Sequence, residues 1–138
     1  MYIKKIRQET ILPTKAYNGD AGFDVYDPIG HYIKAGETRQ IKLGFAIEIN
    51  GKEVCLMSER SGMAIKNGIT SIGNVIDSGY RGEVSIILFN SGPSGVEFAK
   101  GDKIGQMLIM SLGDQYMREV DELAESERGD KAHNSSGF

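Results

Sequence analysis

Asp77 follows the apolar pair Val75-Ile76 directly, so a carboxylate leaves a buried strand at its rim, where desolvation can tune it as a general base. Gln106 interrupts another apolar run, and a polar amide in such a place needs a hydrogen-bond partner. Further polar residues flanked by glycine accompany them: Ala21-Gly22-Phe23-Asp24, Arg60-Ser61-Gly62, Ser78-Gly79-Tyr80-Arg81-Gly82 and Gly101-Asp102-Lys103. A last polar set runs from Arg128 to Phe138. Taken singly, each has an ordinary structural account as a turn into a strand, a helix cap, a hairpin tip, a plain turn or a solvated tail. Cys55, inside Val54-Cys55-Leu56-Met57, reads as core filler rather than as a nucleophile, and His31 has no motif around it.

The elements that must position these residues are strands. Ile41, Leu43, Phe45, Ile47 and Ile49 alternate with Lys42, Gly44, Ala46 and Glu48, a period of two that places five large side chains on one face of a strand. Segments 2–7, 53–57, 69–76, 84–90, 95–99 and 104–112 are also strand-like. Asn18-Gly19, Asn50-Gly51, Ser78-Gly79, Ser91-Gly92-Pro93 and Lys100-Gly101-Asp102 supply turns. Many short strands at close spacing predict an all-β sandwich or barrel. One short helix is expected around 61–68, with Ser61 capping it and Gly68 ending it. Residues 1–123 form one expected β domain. Residues 124–138, rich in Ser, Gly and charge, cannot offset their ordering entropy and are expected to form a mobile C-terminal tail that could serve as a ligand lid.

Bulk properties narrow the partners. A chain of 138 residues fits one domain, and 18 Gly against 3 Pro and no Trp favours tight turns over long helices. A net charge of −3 gives no general attraction to nucleic acid or acidic membranes, so a polyphosphate ligand would need locally concentrated cations. A single cysteine excludes an internal disulfide and fits a reducing compartment. The charged N-terminal stretch lacks a signal-peptide apolar block, and Val84 to Phe89 is too short to span a bilayer. A cytoplasmic protein is expected.

In this order and spacing, the five polar segments resemble the motifs of the trimeric dUTPase family. The matching stretches are Ala21 to Tyr26, Glu59 to Ala64, Asn74 to Val84 continuing to Leu88-Phe89-Asn90, Lys100 to Met107, and Arg128-Gly129 followed by Ser135-Ser136-Gly137. The third is the most specific and the fifth the most degraded. The resemblance implies a jelly-roll-like fold, a homotrimer with active sites between subunits, a C-terminal segment that closes over them, and Mg²⁺-assisted hydrolysis of dUTP to dUMP and pyrophosphate. It also implies roles. Asp77 would orient and deprotonate the attacking water. Arg60, Ser61, Gly62 and Gln106 would hold the phosphates, joined by Arg128, Ser135 and Ser136 from the tail. Ser71, Asn74, Val75 and Ile76 would form the arm that reads uracil, and Tyr80 would lie under the sugar and exclude a 2′-hydroxyl. Mg²⁺ would sit mainly on the phosphates, with Asp24 reaching it through water.

Three departures stand out. Asn74 occupies a position where the family commonly has Gly, Ser71 one where Asn is common, and Ala132-His133-Asn134 replaces Gly-Phe-Gly. His133 could still stack on the base as a planar ring. Two rivals share the scaffold: a dCTP deaminase, which needs an acid–base Glu at the base where this stretch offers Asp77 and Tyr80, and a regulatory binding protein. A sugar-binding jelly roll lacks the exposed Trp such sites use.

Overall fold

The computed structural model describes residues 1–127 and 129–130. Among these, eleven short strands and one helix follow in order: β1 (Tyr2–Lys5), β2 (Phe23–Tyr26), β3 (His31–Ile33), β4 (Thr38–Lys42), β5 (Phe45–Glu48), β6 (Glu53–Ser58), α1 (Ser61–Asn67), β7 (Ile69–Ser71), β8 (Val75–Asp77), β9 (Ser85–Asn90), β10 (Val96–Phe98) and β11 (Lys103–Ser111). They pair antiparallel into sheets β2-β11-β6-β8, β4-β9-β7, β1-β5 and β10-β3. Among the described residues no helix is long and apolar enough to cross a membrane.

One core draws on every sheet. It includes Val25, Cys55, Met57, Ile104 and Met107 from the four-stranded sheet, Ile41, Ile69, Ile86 and Leu88 from the three-stranded one, and Phe45, Ile47, Ile33 and Phe98 from the pairs. β9 shows the mechanism in miniature: Ile86, Leu88 and Asn90 are buried, and Ser85, Ile87 and Phe89 between them are less so. Each fully buried aliphatic or aromatic side chain contributes about 1.5–3 kcal/mol, so this alternation holds the two larger sheets face to face.

All five large side chains between Ile41 and Ile49 are buried, as their alternation predicts. They do not lie on one strand. β4 pairs with β9 and β5 with β1, and the chain crosses between sheets at Leu43-Gly44. Gly44 makes the crossing: its φ is +82°, and a Cβ there would lie 2.2 Å from Thr10 Oγ1. Segment 69–76 divides for a similar reason, with Gly73 at φ +62° turning β7 of one sheet into β8 of another. Ser61 proves to be the first helical residue rather than the cap. Arg60 is the cap residue, in extended conformation and without a side-chain cap bond, while Gly68 ends the helix in the left-handed region as expected. From Met110, near the end of β11, to Glu127 the chain is exposed, tied back by Leu112 N–H to Lys52 O (2.7 Å) and Lys52 to Asp114 (2.8 Å).

Candidate active site

Eight of the residues singled out from the sequence, Arg60, Ser61, Gly62, Gln106, Val75, Ile76, Asp77 and Tyr80, line two pockets joined by β6. The first lies where β6 leads into α1. Glu59, Arg60, Ser61, Gly62, Met63, Lys66, Asn67 and Gln106 line a cavity of about 530 Å³. With no side chain capping α1, the first amide groups of the helix stay available to a ligand. Gln106 reaches the pocket because β11 pairs it with Ser58 on one side and Asp24 on the other. It is half-buried, and among the described residues its amide has no hydrogen-bond partner.

Asp24 stands behind this pocket. It is buried, its Oδ2 lies 2.7 Å from Lys103 Nζ, and its Oδ1 lies 3.7 Å from Arg60 Nε. The hydrogen bond to Asp24 raises the Lys103 ammonium above its ordinary range. Among the described residues no three His, Cys, Asp or Glu side chains gather. One carboxylate already facing two cations does not cage a divalent ion, but it suits one that arrives on phosphates and meets the protein through water.

The second pocket lies at the other end of β6. Gly73, Val75, Ile76, Asp77, Tyr80, Glu83, Ser85 and Ile87 line a cavity of about 190 Å³. Val75, Ile76 and Ile87 give its wall an apolar side, and Asp77, Tyr80, Glu83 and Ser85 a polar one. Tyr80 follows from the turn after β8: its N–H donates to Asp77 O (3.0 Å) and its hydroxyl to Glu83 O (3.1 Å). Asp77 does line the pocket, yet it is exposed rather than desolvated. β8 is a three-residue edge strand, with Val75 and Asp77 exposed and Ile76 turned toward the core, so burial of this carboxylate must come from whatever covers the edge.

Ser71 and Asn74 line neither pocket. Ser71 is buried and bonded to Glu59. Asn74 folds inward: Nδ2 donates to Ser71 O at 3.4 Å, Oδ1 is buried without a partner, and its backbone oxygen accepts from Met57 N–H at 2.9 Å. The Asn74 side chain therefore stays out of the second cavity. Arg128, His133, Ser135 and Ser136 lie outside the described residues.

Several residues escaped the sequence reading. Lys66 and Asn67 join the first pocket because they follow Gly62 and Met63 at helical i, i+4 spacing, a signal present in the sequence. Glu83 places a carboxylate in the second pocket, so a Glu is present there after all. It is already engaged, with Arg7 Nη2 at 2.5 Å from Oε1 and Gly44 N–H donating to Oε1 at 2.9 Å. Its partners are 76 and 39 residues distant in sequence, too far for any local signal to reveal.

Asp77 and Gln106 do not meet within one chain. Along β6, Val54 faces Asp77 and Ser58 faces Gln106. That spacing is ~13 Å along the strand and ~10 Å across two strand gaps.

Comparison with known proteins fits this geometry. The dUTPase family model matches residues 8–137. A deoxyuridine 5'-triphosphate nucleotidohydrolase of Clostridioides difficile is 40% identical, covering 99% of this chain and 96% of the relative. One from Clostridium acetobutylicum is 41% identical, covering 99% and 95%. Among solved structures, a Staphylococcus bacteriophage 80alpha dUTPase variant with dUpNHpp superimposes with TM-score 0.93 at 24% identity, covering 99% of this chain and 98% of that one. A dUTPase variant of Staphylococcus aureus phage phi11, described with a structural Mg(II) ion, gives TM-score 0.83 at 20% identity, covering 90% and 98%. The fold is thus the jelly-roll-like one of these dUTPases. With the family model spanning nearly its whole length and close relatives matching end to end, this chain belongs to the dUTPase family.

Proposed function

We propose that the chain hydrolyses dUTP to dUMP and pyrophosphate, with water attacking the α-phosphorus. The observation that carries this reading is the division of the motif residues into one pocket with cations and amides and another formed by the strand Val75-Ile76-Asp77 and Tyr80. A nucleoside triphosphate has the same two halves.

Arg60 grips phosphate oxygens with a planar fork, while the Ser61 hydroxyl, the Gly62 N–H and the Gln106 amide add donors. Arg128, Ser135 and Ser136 add further donors from the C-terminal segment, and His133 stacks on the base. Asp24 would hold a substrate-bound Mg²⁺ through water, and that ion would supply neutralisation of phosphate charge. The base lies against Val75 and Ile76, where backbone groups read the uracil edge, and Tyr80 leaves no space for a 2′-hydroxyl. Asp77 orients the water and takes its proton.

A general base must come within hydrogen-bond reach of the reacting water, and the phosphate grip must hold the same phosphorus. The separation of Asp77 from Gln106 across β6 prevents this in one chain. We therefore infer a homotrimer in which one protomer supplies Asp77 and another Arg60 and Gln106. Covering the exposed β8 edge in this way would also desolvate Asp77. The single cysteine fits a cytoplasmic location.

The decisive experiment is pyrophosphate release from dUTP, dTTP, dCTP and UTP, with and without Mg²⁺, alongside the solution mass. Release from dUTP alone, Mg²⁺-dependent and from a trimer, is expected. Equal release from all four would remove the base-side assignment. Glu83 raises the deaminase reading again, but its oxygens are held by Arg7 and Gly44. Ammonia release from dCTP would revive it.

A further inference from the structure

Glu59 is out of place in a pocket for phosphates. Two unit charges 4 Å apart at a protein surface repel by about 4 kcal/mol, so a carboxylate on this wall works against the substrate unless its charge is used elsewhere. It does not serve α1, because it precedes the cap residue Arg60 and an acidic capping partner would lie three residues after it. Instead Glu59 turns toward β7. Its Oε2 accepts from Ser71 Oγ (2.5 Å) and from Ser71 N–H (3.1 Å), while Ser71 Oγ accepts from Glu59 N–H (3.1 Å). The side-chain bond from Ser71 is the main reason the Glu59 carboxyl is held below its ordinary value.

The two ends of this pair adjoin the two halves of the site. Glu59 directly precedes Arg60-Ser61-Gly62, and Ser71 directly precedes the turn Ile72-Gly73-Asn74 that leads into the base-side strand. That turn hangs from few other points: Ile72 N–H to Ile87 O (3.0 Å), Asn74 O to Met57 N–H (2.9 Å) and the long contact from Asn74 Nδ2 to Ser71 O.

We propose that Glu59 is a positioning residue which, through Ser71, sets the phosphate-gripping segment 60–62 and the base-side turn 72–74 together. Ser71 then acts through Glu59 rather than by touching the base. This rests on the function proposed above. In the shared-site arrangement the two segments of one protomer serve different substrate molecules, so a single lost pair loosens both kinds of contact at once.

The test uses full-length Glu59→Ala, Glu59→Gln, Ser71→Ala and the double alanine variant. Tripolyphosphate inhibition reads the phosphate half, deoxyuridine inhibition reads the base half, and kcat and KM for dUTP read the whole. Glu59→Ala and Ser71→Ala should each weaken both inhibitors by about tenfold, the scale of one charged hydrogen bond. The double variant should be no worse than either single one. Glu59→Gln should recover most of the loss, since its amide oxygen still accepts from Ser71 N–H. Additive losses, weakening of one probe only, or a lowered melting temperature with both inhibitors unchanged would overturn the proposal. So would a Ser71→Ala variant that alone shifts the preference for dUTP over dTTP. Wild-type protein that releases no pyrophosphate from dUTP would instead remove the underlying function, a separate result.

Discussion

The two pockets at the ends of β6 are built on different principles. The phosphate-side pocket takes its chemistry from side chains: Arg60, Ser61, Lys66 and Gln106 project from a loop, a helix and a central strand. The pocket proposed for the base takes its shape largely from an edge strand and the turn after it, with Asp77 on its wall. Charge can be gripped by long side chains reaching in from separate elements. A planar base can be discriminated only by a wall held at fixed spacing, so that pocket depends on the turn and strand behind it.

Substitutions can break this contrast. The largest effect is expected for Asp77→Asn, which should lower turnover by ~10²-fold or more, the scale of general-base loss, while dUTP binding persists. Single-turnover pyrophosphate release beside equilibrium binding measures both, and comparable turnover would remove Asp77 from its role. Arg60→Ala should act on the other side, raising KM by ~10–100-fold, as loss of a charged phosphate contact does, with deoxyuridine inhibition unchanged.

Glycines sharpen the same comparison through stability. A Cβ on Gly105, beside Gln106, would lie 2.8 Å from Ser58 O and 2.3 Å from Ile86 Cδ1, so backbone must move. Gly105→Ala should cost about 1–3 kcal/mol by overpacking, visible as a lower denaturation midpoint. A Cβ on Gly73 meets only Ile87 Cδ1 at 3.4 Å, but the φ of +62° remains. Gly73→Ala should cost about 1 kcal/mol from backbone strain, and should disturb base preference more than phosphate inhibition.

The smallest effect concerns acid. Because Ser71 lowers the Glu59 value below 4.5, the stability from this carboxylate is fully present above that pH and is lost as pH falls through the lower folded-state value. Glu37, lowered by Lys34 N–H and Arg39, behaves alike in any Glu59 variant. The difference between wild type and Glu59→Gln in melting temperature should therefore shrink below pH 4.5. A difference constant with pH would show that the charge at Glu59 contributes nothing.

Much of the scaffold was readable in advance because alternation reports burial wherever a strand has one wet face. The five side chains from Ile41 to Ile49 are all buried as expected. What alternation cannot report is which sheet a residue joins, and the break at Gly44 appears only when Thr10, 34 residues away, is seen packed against it. The site divides similarly. Local motifs located Arg60, Ser61, Gly62, Gln106, Asp77 and Tyr80 at pocket walls. They did not show that the side chains of Ser71 and Asn74 turn inward, toward Glu59 and the Ser71 backbone. Direction of a side chain at a turn depends on its long-range partners, and these leave no local trace.

Cys55 sits at the middle of β6, opposite Ile109 on one neighbour and Ile76 on the other, fully buried, with its thiol pushed up to about 11 by burial. In the native protein it offers almost no thiolate to an alkylating reagent. Labelling must await separation of the strand that spans the two pockets, so the rate of iodoacetamide uptake becomes a clock for that opening, read at a single atom. If the proposed shared site forms, ligand bound across it should slow the clock.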